Sequence, residues 1–160
     1  MGKRDRYQTP LSGSYSYDFD RDRRLTAINF PSGRQILYQY SPALLTRIVT
    51  PEGNIDYTYT CGEKVQTISR DGESIGYTYD GSLLTGVNLT GSLNQGIGLT
   101  YDDDFRLTAL TYAGSTESVT HDGDGLLTGL GGFTIGRNTD NGLPETVTGG
   151  GYALQRGFNT

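Results

Sequence analysis

His121 is the only histidine and Cys61 the only cysteine in the 160 residues. Nucleophilic or general-base catalysis of the Ser-His-Asp or Cys-His kind would have to run through these two positions. Carboxylates are the other reactive resource, in the runs Asp18-Phe19-Asp20-Arg21-Asp22, Asp102-Asp103-Asp104 and Asp122-Gly123-Asp124-Gly125. The first imitates the opening of a calcium loop. It fails at the sixth position, Arg23 in place of glycine, and at the twelfth, Asn29 in place of a bidentate glutamate. The other two runs offer hard-cation oxygens, but their setting makes them turns first. Glycoside hydrolysis needs two acids held across a cleft with separated pKa values, and no pair here stands apart from a turn. Asn88-Leu89-Thr90 matches the glycosylation acceptor pattern, relevant to a secreted eukaryotic protein. No glycine cluster opens a helix, so no phosphate loop is read.

The elements that position these residues repeat. Tyr15-Ser16-Tyr17-Asp18 returns as Tyr38-Gln39-Tyr40, Tyr57-Thr58-Tyr59 and Tyr77-Thr78-Tyr79-Asp80. Aligned on the second aromatic, the series runs Tyr17, Tyr40, Tyr59, Tyr79, Tyr101, His121, Asn138 and Phe158, in steps of 23, 19, 20, 22, 20, 17 and 20. The period is therefore near twenty. A second phrase follows in each copy, beginning at Leu25, Leu45, Val65, Leu84, Leu107 and Leu127, with threonine next in every case but Gln66. Asp and Gly lie between the two phrases, at Asp80, Asp102 and Asp122 for example. A second turn closes each copy around Gly33, Gly53, Gly72, Gly91 and Gly114.

Each copy reads as strand, turn, strand, turn. Aromatics two apart share one face of a strand, and the Ser, Gln or Thr between them faces the other way. Leu25 and Ile28, like Leu45 and Ile48, lie three apart, which a flat strand cannot place on one face. A bulge just after the turn would reconcile them. No window carries helical spacing, so an all-β fold is expected: consecutive antiparallel hairpins in one curved, spiralling repeat sheet with essentially no helix. The expected organisation is an amino-terminal arm, 1–12, then repeats at about 14–34, 35–54, 55–73, 74–94, 95–115, 116–133 and 134–151, with a partial copy at 152–160.

Burial must come from tyrosine, with 12 Tyr against 5 Phe and no Trp, since only 34% of residues are hydrophobic. Gly, at 24 residues, follows the turns. The net charge of −5 argues against a nucleic-acid partner. Residues 1–34 hold seven Lys or Arg against four acids, a local +3 around Lys3-Arg4-Asp5-Arg6 and Arg21–Arg24, read as a solvated end and turn. A lone cysteine excludes an internal disulfide. No apolar stretch approaches eighteen residues, so neither a signal peptide nor membrane insertion is expected.

Tyr-x-Tyr-Asp, an acidic or Gly turn, Leu-Thr-x-Val and a closing Gly at this period resemble the RHS or YD-repeat family. The likeness is carried by Tyr15 to Asp18 through Leu25-Thr26, Tyr77 to Asp80 through Leu84-Thr85, Tyr101-Asp102 through Leu107-Thr108, and Asp122 through Leu127-Thr128. It covers roughly residues 13–160. The family includes polymorphic toxins, toxin-complex subunits and teneurins. The resemblance implies a strand-turn-strand shell, commonly around a toxic domain, and a structural role without catalysis or cofactor. It also implies a secreted, cell-surface or secretion-system setting. The self-cleaving Asp-Pro signature of many such shells is absent, each Pro following Thr, Phe, Ser, Thr or Leu.

The structural positions this assigns are Tyr15, Tyr17, Asp18, Leu25, Gly33, Tyr38, Tyr40, Leu45, Gly53, Tyr57, Tyr59, Gly72, Tyr77, Tyr79, Asp80, Leu84, Gly91, Tyr101, Asp102, Leu107, Gly114, His121, Asp122 and Leu127. About fourteen strands at ~4.8 Å would span ~65 Å, a perimeter about 20 Å in diameter if closed. That is too narrow for a folded cargo, so the expectation is part of a larger wall. Its partners would be flanking repeats or a second copy through open sheet edges, with a polypeptide cargo inside. The competing reading is a carbohydrate- or protein-binding module with a Tyr-lined sheet face.

Overall fold

The computed structural model describes residues 4–8 and 13–157. Sixteen strands follow in chain order in the sheet, β1 to β16. They are β1 (Arg4–Gln8), β2 (Ser14–Phe19), β3 (Leu25–Asn29), β4 (Gln35–Ser41), β5 (Leu44–Thr50), β6 (Gly53–Tyr59), β7 (Val65–Arg70) and β8 (Glu73–Asp80). After these come β9 (Leu83–Thr90), β10 (Gln95–Tyr101), β11 (Leu107–Tyr112), β12 (Ser115–His121), β13 (Leu127–Leu130), β14 (Phe133–Arg137), β15 (Pro144–Gly149) and β16 (Tyr152–Gln155). There is no helix among the described residues. The fold is all-β and built of antiparallel hairpins, as the repeat pattern predicts. β1 falls within the segment read as an arm and pairs with β2, Tyr7 opposite Tyr15. Lys3 of that arm and the aromatic slot at Phe158 lie outside the described residues.

The chain forms two compact units, one reaching to Tyr77 and including Leu89–Asn94, the other comprising Thr78–Asn88 and the residues from Gln95 onward. In the first unit, β4 alternates exposed and half-buried residues along its length, with Ile36, Tyr38 and Tyr40 on the half-buried face. Period-two side-chain direction produces this directly. Ile36 pairs with Ile28, and Ile48 with both Tyr38 and Ile55. Tyr57 pairs with Ile68, which pairs in turn with Ile75. Apolar and aromatic side chains therefore run strand to strand across one face. The opposite face carries Asp18, Gln39, Arg47, Asp56, Thr58, Thr67 and Ser69, which pair among themselves or with small residues.

In the second unit Leu99 pairs with Leu110 and Ile135 with Val147 on the apolar face. On the polar face the hydroxyls of Thr100 and Thr108 lie 3.3 Å apart, those of Thr111 and Thr116 3.0 Å, and Thr128 donates to Thr120 at 3.1 Å. Cross-strand Thr pairs of this kind stabilise a sheet on a face that stays wet. Among the described apolar side chains only Ala27, at 8% exposure, and Val119, at 7%, are fully buried. Ala27 lies on the face of Asp18, and Val119 pairs with Leu130. The apolar face is half-buried along most of its length, with Ile97 and Tyr112 of the second unit exposed.

The bulge expected from the Leu–Ile spacing is present and has a fixed address. Gln39 pairs with Arg47 and Tyr40 with Leu45, leaving Thr46 as the extra residue. Thr26, Gln66, Thr108, Thr128 and Glu145 are skipped in the same way. One inserted residue changes the parity of the strand, so Leu45 and Ile48 both face the tyrosines. Thr26 donates its hydroxyl to the Asp18 carbonyl at 3.0 Å, and Thr46 to the Gln39 carbonyl at 3.2 Å. The threonine of the Leu-Thr phrase is thus the bulge residue, and its hydroxyl ties it to the neighbouring strand.

Candidate functional site

The register redefines which residues are equivalent. In the first copy Tyr17 pairs with Ile28 and Phe19 with Leu25, as Tyr38 pairs with Ile48 and Tyr40 with Leu45. Phe19, not Tyr17, therefore fills the second aromatic slot, and Asp20, not Asp18, follows it at the turn. Three alternating aromatics, Tyr15, Tyr17 and Phe19, allow two alignments of the sequence, and only hydrogen-bond pairing distinguishes them. Tyr15 takes the place of Ile36 in the next copy and meets Phe30 edge-on, with ring centroids 5.4 Å apart. In the seventh copy the slot belongs to Arg137, opposite Pro144, and not to Asn138.

The second slot has a recurring bond. Tyr40 donates its hydroxyl to the carbonyl of Leu25 at 2.9 Å, Tyr59 to that of Leu45 at 2.7 Å, and Tyr101 to that of Leu84 at 2.8 Å. Each acceptor is the Leu of the preceding copy's Leu-Thr phrase. Beside Leu25 and Leu45 the bulge interrupts the regular ladder, and the tyrosine supplies a donor where the ladder is irregular. Arg24 lies over the Tyr40 ring, 4.8 Å from its centroid, and burial raises the pKa of that phenol above its ordinary value. His121 stands in the same slot in the sixth copy, opposite Leu127. Its position is that of a repeat residue in the sheet.

The acids at the hairpin ends are structural caps. Asp20 Oδ1 accepts from the backbone N–H groups of Asp22 and Arg24, both at 2.9 Å, and its Oδ2 from Arg24 Nε at 2.7 Å. Asp102 repeats this with Asp104 and Arg106, and Asp122 with Asp124 and Leu126. Thr60 and Asn138 cap the equivalent loops through Thr60 Oγ1 and Asn138 Oδ1. The Arg24 backbone N–H, with its guanidinium, holds the Asp20 carboxyl below the usual range, and Arg106 does the same for Asp102. A carboxylate so occupied serves folding rather than proton transfer.

At the opposite hairpin ends Thr50 donates to the Gly53 carbonyl at 2.8 Å, and Ala113-Gly114 turns with φ of 50° and 82°. Gly91 sits at φ 133°, a conformation that strains a side chain, and an added Cβ would also displace the Glu73 carboxylate. Glu73 bonds the Ser92 backbone N–H at 2.9 Å and also its hydroxyl. Those bonds lower the Glu73 pKa, the hydroxyl contributing most. Cys61 is exposed in its turn. Among the described residues no three His, Cys, Asp or Glu side chains gather as a metal site. Tyr15, Tyr38, Tyr57 and Tyr77 are half-buried, whereas Tyr112 is 51% and Tyr152 55% exposed.

Capped hairpins, a bulge at a constant place and a tyrosine bond from copy to copy define a repeat-built structural sheet. The family model described as Teneurin YD-shell matches residues 2–150. The chain belongs to that family, whose repeats form a structural shell. No curated protein matches the chain.

Proposed function

We propose that this chain is a non-catalytic wall segment of a YD shell, joined to flanking repeats of a larger protein and enclosing or displaying a partner domain. The half-covered apolar face carries the reading. Ile36, Tyr38, Tyr40, Ile55, Tyr57 and Ile75 are half-buried from within the sheet alone, so a further layer would bury more of them. Covering apolar area yields roughly 25 cal/mol per Å², which makes such a face a natural contact for repeats or cargo. The test is protease protection. The chain is expressed with the sequence its gene encodes on either side, and digestion of that flanking polypeptide is compared with digestion of the same polypeptide alone. Protection supports the enclosing wall, and equal digestion in both forms overturns it.

A carbohydrate- or protein-binding module is favoured by the exposed rings of Tyr112, Phe133 and Tyr152 in the second unit. Exposed rings stack on sugar faces. Glycan-array binding lost in the variant Tyr152→Ala would support this second reading.

A further inference from the structure

The capped loops of the second unit differ in charge from those of the first. Asp20 to Arg24 carries three arginines and two aspartates, and Glu63 is followed by Lys64. In the second unit the corresponding hairpin ends hold Asp80, Asp102, Asp103, Asp104, Asp122, Asp124 and Asp140. Arg106 neutralises part of this, at 2.8 Å from Asp102 and 3.2 Å from Asp104. Asp80, Asp103, Asp124 and Asp140 have no cation beside them among the described residues.

This edge also has a recess of about 470 Å³, lined by Asp80, Leu83, Leu99, Tyr101, Asp103 and Phe105 among others. Its apolar part is Leu83, Leu99 and the two rings, and its rim is acidic. Phe105 is 72% exposed and sits at φ 63°, at a loop position held by Arg23 and Glu63 in the first unit, at φ 63° and 60°, and by Gly125 in the sixth copy. An aromatic ring kept there beside unpaired carboxylates suits an aliphatic stem ending in a cation.

We propose that this hairpin-end edge is a docking surface for a basic stretch of polypeptide, with one Lys or Arg stem lying against Tyr101 and Phe105 and its charge facing Asp80 and Asp103. Charge complementarity selects the partner: an edge of uncompensated carboxylates attracts basic segments and repels acidic ones. The proposal does not rest on the enclosing-wall reading: it concerns the acidic hairpin ends of the second unit, where the recess reaches Leu99 at the margin of the apolar face.

The test is a heteronuclear NMR titration of the whole chain with a capped hexapeptide of alternating Lys and Gly. A Glu–Gly peptide and calcium chloride at matched ionic strength serve as comparisons. The Lys peptide is expected to shift the amides of Asp80, Thr85, Tyr101, Asp103 and Phe105, and the Glu peptide to leave them in place. The double variant Asp80→Asn/Asp103→Asn should weaken the Lys peptide by about threefold to tenfold, the range expected for losing two exposed charge pairs. Shifts that survive the double substitution overturn the proposal. So does calcium moving these amides while the Lys peptide does not, which would make the edge a metal site.

Discussion

Arg137 donates from Nη2 to the carbonyl of Leu127 at 2.9 Å, the bond made in earlier copies by a tyrosine hydroxyl. Its Nη1 reaches the Gly142 carbonyl at 2.9 Å, so a single side chain spans the preceding copy and its own turn. An arginine at a tyrosine position looks like decay of the repeat. The geometry shows a substitution that preserves the donor.

Removing that donor should therefore cost stability wherever the slot is bonded. Tyr59→Phe keeps the ring and deletes only the bond to Leu45. A loss of about 1 kcal/mol is expected in denaturant unfolding, the usual net value of one hydrogen bond. Arg137→Met should lose more than Arg137→Tyr, because tyrosine restores the donor. Equal losses for the two would mean that Arg137 acts only through packing.

The sequence shows the hairpin period plainly, because Tyr-x-Tyr and Leu-Thr recur in phase and turn residues separate them. The need for a bulge was legible in the spacing of Leu45 and Ile48, and register then placed it at Thr46. The frame of the first copy was not legible, since Tyr15, Tyr17 and Phe19 alternate without a break. Nor was the Tyr-to-Leu carbonyl bond, whose acceptor is backbone and leaves no mark on residue type. The charge of Asp103 was visible. Its meeting with Phe105, Leu83 and Asp80 at one recess depends on two hairpins lying side by side.

The bulge threonine gives a sharper test of architecture. Deleting Thr108 would leave the pairs Tyr101–Leu107, Thr100–Ala109 and Leu99–Leu110 in flat alternation, so Leu107 and Leu110 keep their face and only the local bend and the contact to Thr100 are lost. A loss below about 3 kcal/mol is expected, within the ordinary range of single changes. Thr108→Ala, which keeps the bulge and removes only the contact to Thr100, should cost below about 1 kcal/mol. Urea unfolding measures both variants, and a deletion costing more than about 3 kcal/mol would refute the parity argument.

Acid stability follows from the capped aspartates. The carboxyls of Asp20 and Asp102 titrate below their ordinary range when folded, chiefly because backbone N–H groups bond the ionised form. A lowered folded pKa contributes stability that is present in full above the unfolded carboxylate range and is lost as pH falls through the folded value. The chain should therefore hold its melting temperature down to roughly pH 5 and lose it progressively below. Asp102→Asn keeps an acceptor, as Asn138 demonstrates in its own loop, and removes the titration. Its melting temperature should fall less steeply below pH 5 than that of the parent. An unchanged slope would assign the acid sensitivity to other carboxylates.

Phe105 and Gly125 occupy the same position in successive capped loops, at φ 63° and 78°. A side chain in this region costs about 1–2 kcal/mol, and glycine returns part of that through its greater freedom when unfolded. Phe105→Gly is therefore expected to raise stability by about 0.5–1 kcal/mol, while Gly125→Ala lowers it by a similar or larger amount. The same Phe105→Gly change should weaken the Lys–Gly peptide, because it removes a ring from the recess. Arg23 and Glu63 share this conformation, at φ 63° and 60°, so the stability gain tests the loop position and the weaker peptide binding tests the ring's contact. A Phe105→Gly chain less stable than the parent would show instead that the exposed ring packs against Leu83 or Leu99 strongly enough to outweigh its backbone strain.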